Sequence, residues 1–540
     1  MSDLFLGLDL STQQLKATII GEQLEVVKEE FVHFDNELPE FHTRGGVIID
    51  AEGKGEQRVT APTLMWVKAL DLLLQKLQRI DIPLEKIRAI SGSGQQHGSV
   101  YWHKGAEAAF ETMNPFKPLH EQFDAMLSIT QSPVWMDSST GKQCRKLEKA
   151  VGGPEVLASV TGSSAYERFT GPQIAAVYER HPETYENTER ISLISSFMAS
   201  LLLGRYAAID WADGSGMNLL DIRRKHWDLN CLAACGPDLK RRLQQPCPSW
   251  TVLGKISRYF CERYGFTGNC DIVAFTGDNP ASFAGMNLCA GDLCVSLGTS
   301  DTIFAVVNNP KPALEGHVMC SPVKEDEFMT MVCFKNGSLI REKVLAQCTD
   351  GTWPDFEQKL NATECGNNGK MGLYFDQIEI VPRAHGIHRF DSENKPLKKL
   401  RPEEEIRALV EFQSLAKRHH IEKLGFRVRP HTRIFVTGGG SKNTTLLQVI
   451  ANVFQGDVYT QGMTNSAAYG AACRALHALK GGSYSDMIRS SIGFPKTTIA
   501  VRHDPKLKNV YDNLLVRYSK LIALVSNPDK KNGLSNGTHV

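Results

Sequence analysis

The segment GLDLSTQQLKATI (7–19) places acidic, hydroxyl and basic side chains around one tight turn. Asp9 ends a predicted strand, Ser11 and Thr12 occupy the turn, and the returning strand carries Lys16. Hydroxyls and backbone N–H groups in such a turn donate to an anion, a carboxylate holds Mg²⁺, and a lysine neutralises charge. The pattern predicts binding of nucleotide phosphates, although alone it also fits an ordinary hairpin with a polar turn.

A second hairpin turn, formed by Gly298, Thr299 and Ser300, repeats this chemistry in the other half of the chain. It lies between two apolar strands, CVSLG (294–298) and IFAVVN (303–308). Two hydroxyl-bearing turns at equivalent places are hard to explain by chance. We expect them to hold phosphates from opposite walls of a cleft.

A glycine-rich loop, GGGSKN (438–443), separates the predicted strand 433–437 from a helix that begins near residue 444. Glycines let a ligand approach the backbone closely, and amides at a helix N-terminus favour polar or anionic groups. This loop is a candidate site for a nucleoside or its α-phosphate. It matches neither the GxGxxG nor the Walker A pattern, and glycine-rich turns of this kind are common in α/β proteins.

The segment FTGDNPASFAG (275–285) places Asp278 and Asn279 after an apolar strand. A carboxylate there is suited to accept the proton of an attacking hydroxyl during phosphoryl transfer. Asn279 offers a donor and an acceptor to a sugar hydroxyl. The structural alternative is an Asx-turn in which Pro280 closes the strand.

Polar side chains of three other loops in the first half are candidates for contacting a polyol: Gln96, His97, Asp137 and Arg168. A polyol needs directional partners on several hydroxyls, and separate loops supply them. Each residue taken singly also fits a capping, core or solvated role.

These candidates sit on elements that recur along the chain. Strands are predicted at 4–10, 15–20 and 24–34, and again at 294–298, 303–308 and 328–335. Helices are predicted near 62–79, 140–150, 172–181, 193–204, 229–243, 337–348, 403–424 and 465–480. The repeated hairpin indicates two copies of one α/β module facing a cleft.

Composition narrows the function classes further. The chain has 540 residues, 61 Lys plus Arg against 60 Asp plus Glu, and 42% hydrophobic residues. Near-neutral charge argues against nucleic-acid or anionic-membrane partners, and the longest apolar stretch is too short to cross a bilayer. Thirteen cysteines without a CxxC pair, and no basic leader before the first strand, predict a cytoplasmic protein with reduced thiols and no metal cluster.

The motifs together resemble those of the FGGY carbohydrate kinases, within the actin, Hsp70 and hexokinase superfamily. The resemblance spans about residues 4 to 520 and rests on GLDLSTQQLKA, SGSGQQHGS, PVWMDSST, SAYERFTG, VAFTGDNPAS, VSLGTSDT, CFKNGSL and the loop at 437–443. It implies two ribonuclease-H-like α/β domains flanking a deep interdomain cleft. Domain limits of 1–285 for sugar and 286–525 for ATP follow, with a disordered tail at 526–540.

The resemblance also assigns roles to individual residues. Asp278 corresponds to the general base, beside Asn279, and Gln96, His97 and Arg168 fall where such kinases contact the sugar. Asp9 corresponds to the metal-binding carboxylate. The nucleotide-binding positions are Ser11, Thr12, Gly298, Thr299, Ser300, Trp353, Gly438, Gly439, Gly440, Ser441 and Asn443.

The implied reaction is transfer of phosphate from ATP, with Mg²⁺, to D-xylulose, by a monomer or homodimer. A kinase for ribulose, L-fuculose or glycerol is the nearest alternative, and a non-catalytic sugar or nucleotide sensor is another. An actin-like or chaperone-like ATPase shares the hairpins but does not predict the Asp278–Asn279 pair.

Overall fold

The computed structural model describes residues 3–50, 57–429, 431–462 and 465–526. The chain packs into two units. The first comprises Met1–Asn287, Val318–Glu327 and Met463–Phe494, and the second comprises Leu288–His317, Phe328–Gly462 and Pro495–Val540. The mixed α/β, two-domain fold class is confirmed.

The first unit is built on a sheet whose strands run in the order Val252–Lys255, Asp271–Val273, Ile87–Gly94, Leu4–Leu10, Gln14–Gly21 and Val26–His33. Leu4–Leu10, Gln14–Gly21 and Val26–His33 form an antiparallel meander. Ile87–Gly94 runs parallel to the first of these strands. Leu6, Leu8 and Leu10 enter one core, while Phe5 enters another on the opposite face, so the strand is apolar on both sides.

The second unit repeats this topology. Its strands run in the order Phe328–Phe334, Asp301–Val307, Leu293–Leu297, Arg433–Thr437, Asp457–Gln461 and Thr497–Val501. Three antiparallel strands are again followed by two parallel strands and one antiparallel strand. The duplication read from the two hairpins is therefore present in the order and direction of every principal strand.

Helices and smaller strands complete the units. The helices of eight or more residues are Thr63–Arg79, Gly141–Val151, Pro154–Thr161, Thr170–Arg180, Ile194–Leu203, Asp278–Gly285, Ser338–Cys348, Trp353–Asn361, Pro402–Lys423, Thr444–Phe454, Ser466–Lys480 and Lys508–Ser526. Smaller strands are Ile48–Asp50, Arg58–Pro62, Ser99–His103, Gln131–Pro133, Thr188–Leu193, Leu220–Asp221, His226–Trp227, Thr276–Gly277, His317–Cys320, Met371–Phe375 and Gly386–Phe390. Among the described residues, no helix is both long and apolar enough to span a membrane.

The two units are not separated by a single boundary at residue 285, and the helix Ser466–Lys480 explains why. Its small side chains lie against the first sheet, where a Cβ on Gly7 would overlap the backbone of Ala468 and Ala472. A Cβ on Gly470 would likewise overlap the backbone of Ala281. This close approach places residues 463–494 in the first unit, although they follow most of the second.

One predicted helix is interrupted in the structure, and the predicted tail lies almost entirely outside the described residues. The helix predicted over 229–243 is two helices, Leu229–Cys235 and Leu239–Leu243, because Gly236 and Pro237 interrupt it. The tail predicted for 526–540 lies outside the described residues except for Ser526, which ends the last helix.

Candidate functional site

Asp278 is the first residue of the helix Asp278–Gly285, directly after the short strand Thr276–Gly277. The side chain is half-buried, and its Oδ1 accepts a hydrogen bond of 2.8 Å from the backbone N–H of Asn279. Burial, together with the negative charge of Asp9, raises the pKa of Asp278 to about 7, against the lowering effect of backbone N–H groups. This carboxylate can therefore take up and release a proton near neutral pH.

Asn279 joins Asp278 to Gln96. Its Nδ2 donates to Gln96 Oε1 at 2.9 Å and lies 3.3 Å from Asp278 Oδ1. Gln96 is buried, and its Nε2 lies 3.6 Å from the sulfur of Met319. The strand pair 276–277 and 93–94 runs parallel in one sheet, so their carboxyl ends lie side by side. The structure thus brings Gln96 together with the Asp278–Asn279 pair, which the sequence placed on a separate loop.

His97 follows Gln96 in the left-handed backbone region, with φ of 72°. Its Nδ1 lies 2.8 Å from the carbonyl oxygen of Gly216, and its ring stacks on Phe169 at 4.3 Å. Because a carbonyl only accepts, Nδ1 carries the hydrogen and Nε2 is an acceptor. Burial and the charge of Arg168 lower the pKa of His97 to about 3, so the ring is neutral near pH 7.

Arg168 belongs to the same neighbourhood as His97. Its guanidinium lies 5.4 Å from the ring centre of Tyr166, and the side chain is half-buried. A guanidinium supplies several N–H donors and a fixed positive charge. The loop 166–169 therefore provides both the stacking partner of His97 and a cationic donor.

Asp9 ends the first strand and is buried. Ser93 Oγ donates to its Oδ1 at 2.8 Å, and Lys16 Nζ lies 3.5 Å from its Oδ2. Burial raises the pKa of Asp9, while Lys16 and Ser93 oppose the rise. The sheet fixes this cluster, since Asp9 pairs with Lys16 on one side and Ser93 on the other.

The turn after Asp9 is closed by the backbone N–H and the hydroxyl of Ser11, which both donate to the carbonyl of Gln14, at 3.0 and 2.9 Å. Thr12 Oγ1 accepts from Trp135 Nε1 at 2.9 Å and lies 3.4 Å from Gln95 Oε1. Trp135 belongs to the WMDSS segment, which the sequence associated with sugar. The structure instead ties part of it to this turn.

Asp137, from the same segment, is engaged in the fold. It is buried and accepts hydrogen bonds from Val59 N at 3.0 Å, Ser139 N at 2.9 Å, Ser139 Oγ at 2.8 Å and Gln173 Nε2 at 2.8 Å. These contacts connect a strand, a loop and a helix. Four donors account for the acceptor capacity of a carboxylate, so Asp137 has a structural role.

Sequence reasoning missed Asp213. It is buried on the short helix Trp211–Gly214, and its Oδ2 accepts from Ser195 Oγ at 2.6 Å. Burial and the neighbouring charges of Asp210 and Asp278 raise its pKa well above the ordinary range. A Cβ on Gly277 would lie 2.8 Å from both Asp213 Oδ1 and Gln96 Cδ, so Asp213 borders the site. No spacing pattern in WADGSG distinguishes it from a capping aspartate.

In the second unit, a cavity of about 540 Å³ collects most of the predicted nucleotide residues. Gly298, Thr299, Trp353, Gly439, Gly440 and Asn443 line it. The predicted residues Ser300, Gly438 and Ser441 are sequence neighbours of these lining residues but do not line the cavity themselves. Gly438 has φ of 81°, and Ser441 Oγ donates to its carbonyl at 2.7 Å. Gly438 and Ser441 therefore shape the loop 438–443 and do not line the cavity.

Asn443 caps the helix Thr444–Phe454. Its Oδ1 accepts from Leu446 N at 3.0 Å, and its Nδ2 donates to Glu357 Oε1 at 2.8 Å. Glu357 lies on the helix Trp353–Asn361, one turn after Trp353, whose side chain is exposed. The loop 438–443 and this helix thus meet through one hydrogen bond.

A buried charge cluster lies behind the turn 298–300. Arg341 bonds Asp301 with both terminal nitrogens, at 2.8 and 3.1 Å, and Lys417 Nζ lies 2.8 Å from the same carboxylate. Although burial raises the pKa of Asp301, Lys417 and Arg341 outweigh it and lower that pKa. Arg341 and Lys417 thus share one carboxylate, and burial together with the charge of Arg341 lowers the pKa of Lys417, against the raising effect of Asp301 and Glu379. Arg341 also lines the cavity, and sequence reasoning missed it because LIREK resembles a solvated helix face.

Comparison of sequences identifies the relatives of the chain. The profile of the FGGY family of carbohydrate kinases, N-terminal domain, matches residues 124–285, and its C-terminal counterpart matches 293–479. A xylulose kinase of Rattus norvegicus is 50% identical over 96% of both chains. Xylulose kinase 2 of Arabidopsis thaliana is 46% identical over 88% of this chain and 87% of its own.

Solved structures share the fold at low sequence identity. A xylulose kinase from Rhodospirillum rubrum superposes with a TM-score of 0.78 at 17% identity, covering 96% of this chain and 98% of its own. A glycerol kinase from Plasmodium falciparum, solved with ADP, gives 0.73 at 14% identity, covering 97% and 98%. Kinases of different substrates thus have this architecture in common.

Proposed function

The chain belongs to the FGGY family of carbohydrate kinases, and from that premise we propose that it phosphorylates D-xylulose. The γ-phosphoryl group of ATP passes to the terminal hydroxyl of the sugar, giving ADP and D-xylulose 5-phosphate. The observation that carries the choice of sugar is the 50% identity to the rat xylulose kinase across nearly the whole of both chains. The fold alone does not choose, since a glycerol kinase shares it.

We assign the role of general base to Asp278. Phosphoryl transfer passes through a loose transition state, so the base mainly orients the hydroxyl and accepts its proton late. A carboxylate whose pKa is raised to about 7 is matched to that task at neutral pH. Its Oδ1 is held by the N–H of Asn279, which fixes the direction of the remaining lone pairs.

The sugar is bound by uncharged and cationic groups around that base. Asn279 and Gln96 present amide groups, His97 presents an acceptor at Nε2, and Arg168 presents guanidinium donors. These groups match the alternating donor and acceptor character of a polyol. None adds negative charge near the transferred phosphoryl group.

The nucleotide is bound by the cavity of the second unit. We assign its phosphates to the turn Gly298–Ser300 and its adenosine to Gly438–Ser441, Asn443 and Trp353, with Ser11 and Thr12 as the first-unit phosphate turn. Arg341, which lines the cavity, supports this assignment, because its guanidinium carries a fixed positive charge that attracts phosphates.

The residues around Asp9 fit a magnesium ion. Mg²⁺ in kinases is held by one or two carboxylates together with phosphates and water. The negative charge of Asp9 helps to raise the pKa of Asp278, so the two carboxylates repel each other. With a divalent cation beside Asp9, that repulsion would be relieved. When bound, Mg²⁺ supplies charge neutralisation at the phosphates. Asp9 would hold the ion, and Lys16 and Ser93 keep its carboxylate in place.

Transfer requires ATP on one unit to meet sugar bound to the other with water excluded, so we propose closure on binding. Small-angle scattering tests this, with a smaller radius of gyration expected when sugar and a non-hydrolysable ATP analogue are both present.

We further propose that the protein is a monomer or homodimer in the reducing environment of the cytoplasm. Buried thiols such as Cys235 and Cys270 are consistent with the reducing environment.

A panel of sugars tests the central assignment. Sugar-dependent ADP release is measured with D-xylulose, ribulose, L-fuculose and glycerol, and kcat/KM is compared. We expect D-xylulose to lead by at least about tenfold, which corresponds to about 1.4 kcal/mol in transition-state binding. A clear preference for another polyol would reassign the substrate, and no release with any sugar would indicate a sensor.

A further inference from the structure

The cavity proposed for ATP contains carboxylates, although its ligand is a polyanion. Glu342 and Glu357 both line it. A carboxylate repels phosphates, so one that is held inside a nucleotide site is expected to meet a hydrogen-bond donor on the ligand. The following inference rests on the proposed function and concerns which part of the nucleotide supplies that donor.

Glu357 is held in place, whereas Glu342 is exposed. Glu357 is half-buried, and of the described residues only Asn443 hydrogen-bonds to its carboxylate, through Nδ2 to Oε1 at 2.8 Å. Asn443 is itself fixed, because its Oδ1 accepts from Leu446 N at the start of the helix. The Asn443 amide therefore has both ends engaged within the protein. Glu357 therefore keeps acceptor capacity that its hydrogen bond to Asn443 does not use.

The helix places Glu357 beside a flat aromatic surface. Trp353 and Glu357 are four residues apart on the helix Trp353–Asn361, so their side chains lie on the same face. Trp353 is 39% exposed and lines the cavity. A nucleobase stacked on this indole presents its edge to the next turn of the helix, where the carboxylate lies.

A carboxylate at the base edge distinguishes nucleobases by what they present at position 6. Adenine carries an amino group there, which donates, whereas hypoxanthine and guanine carry a carbonyl, which only accepts. We propose that Glu357 determines nucleobase specificity by accepting a hydrogen bond from the 6-amino group of adenine. A carboxylate that faces a 6-carbonyl instead brings two acceptors together and loses this hydrogen bond, so 6-keto nucleotides are bound less well.

The substitution Glu357→Gln tests this proposal without removing the contact to Asn443. The glutamine carbonyl still accepts from Asn443, which turns the new NH₂ group toward the base edge. ATP then loses its acceptor and ITP gains a donor. ITP differs from ATP only at position 6, where a carbonyl replaces the amino group, and at the adjacent ring nitrogen N1, which carries a hydrogen. Glu342→Gln is the matched control, because it removes the other carboxylate of the same cavity.

The readout is the ratio of kcat/KM for ATP to that for ITP with saturating D-xylulose. We expect the wild-type protein and Glu342→Gln to favour ATP by at least about thirtyfold, and Glu357→Gln to lower that ratio at least tenfold. An unchanged ratio in Glu357→Gln would overturn the proposal. A change in the ATP to dATP ratio instead would assign Glu357 to the ribose hydroxyls and also overturn it.

Failure of the proposed function is separable from failure of this inference. If the wild-type protein releases no ADP with any sugar, the kinase assignment fails, while calorimetric binding of ADP and IDP without sugar still tests Glu357. Preferential ADP binding that Glu357→Gln reduces at least tenfold would support the inference. Equal binding of ADP and IDP by the wild-type protein would contradict it.

Discussion

Replacing Asp278 by asparagine is expected to stabilise the protein, and more at pH 8 than at pH 5. Burial and the charge of Asp9 raise the pKa of Asp278 to about 7, whereas the ordinary value is 3.8. A carboxyl whose pKa is higher in the folded state favours folding at low pH. That contribution is lost as the pH rises from 3.8 through about 7.

The size of the effect follows from these two values. At pH 5 the folded protein keeps the proton that the unfolded chain has lost, which costs about 1.5 to 2 kcal/mol. At pH 8 the folded protein holds a poorly solvated charge, and the cost reaches about 4 kcal/mol. Since Asp278 is half-buried and water reaches part of it, we expect the difference between the two pH values to be about 1 to 2 kcal/mol.

Thermal unfolding at pH 5 and pH 8, in EDTA and without nucleotide, measures this difference. The gain in Tm of Asp278→Asn over wild type is expected to be larger at pH 8 by a few degrees. Asp124→Asn, an exposed aspartate of the same unit, serves as the control and should shift Tm equally at both pH values. A gain that is equal at both pH values, or larger at pH 5, would refute the assigned electrostatics of Asp278.

Three other predictions concern packing, a neutral histidine and stacking. Gly470→Ala should lower Tm by several degrees despite better helix propensity, because its Cβ overlaps the Ala281 carbonyl, whereas Gly268→Ala, with open space around it, should not. His97→Gln should be less stable than wild type at pH 7, and the difference in urea midpoint should be smaller at pH 5. The reason is that the pKa of His97 is lowered to about 3, so the wild-type protein itself loses stability as the pH falls below 6.5. Trp353→Ala should raise KM for ATP about three- to tenfold and leave KM for D-xylulose within twofold in steady-state kinetics.

The hairpins and the duplicated module could be predicted from sequence because their signal is local. Alternating apolar residues define the strand Leu4–Leu10 to the residue, and the strand predicted at 303–308 is observed as Asp301–Val307. The helix Ser466–Lys480 was also predictable as an element, but its place in the first unit was not. That placement depends on backbone contacts at Gly7 and Gly470, which no periodicity encodes.

The grouping of Gln96 with Asn279 was only partly predictable. Both residues follow strands, but their hydrogen bond depends on the parallel pairing of 276–277 with 93–94, a contact between distant parts of the chain. Asp213 and Arg341 gave no sequence signal, since a capping aspartate and a surface arginine have the same appearance. Their significance lies in burial, which only tertiary packing creates.

If Asp278 is the base for phosphoryl transfer to D-xylulose, two measurements on Asp278→Asn reveal it. Sugar-dependent ADP release gives kcat, and titration calorimetry gives Kd for D-xylulose. We expect kcat to fall about 10²- to 10⁴-fold while Kd stays within about tenfold, because the base acts on the proton and other groups hold the sugar. A kcat within tenfold of wild type would contradict it.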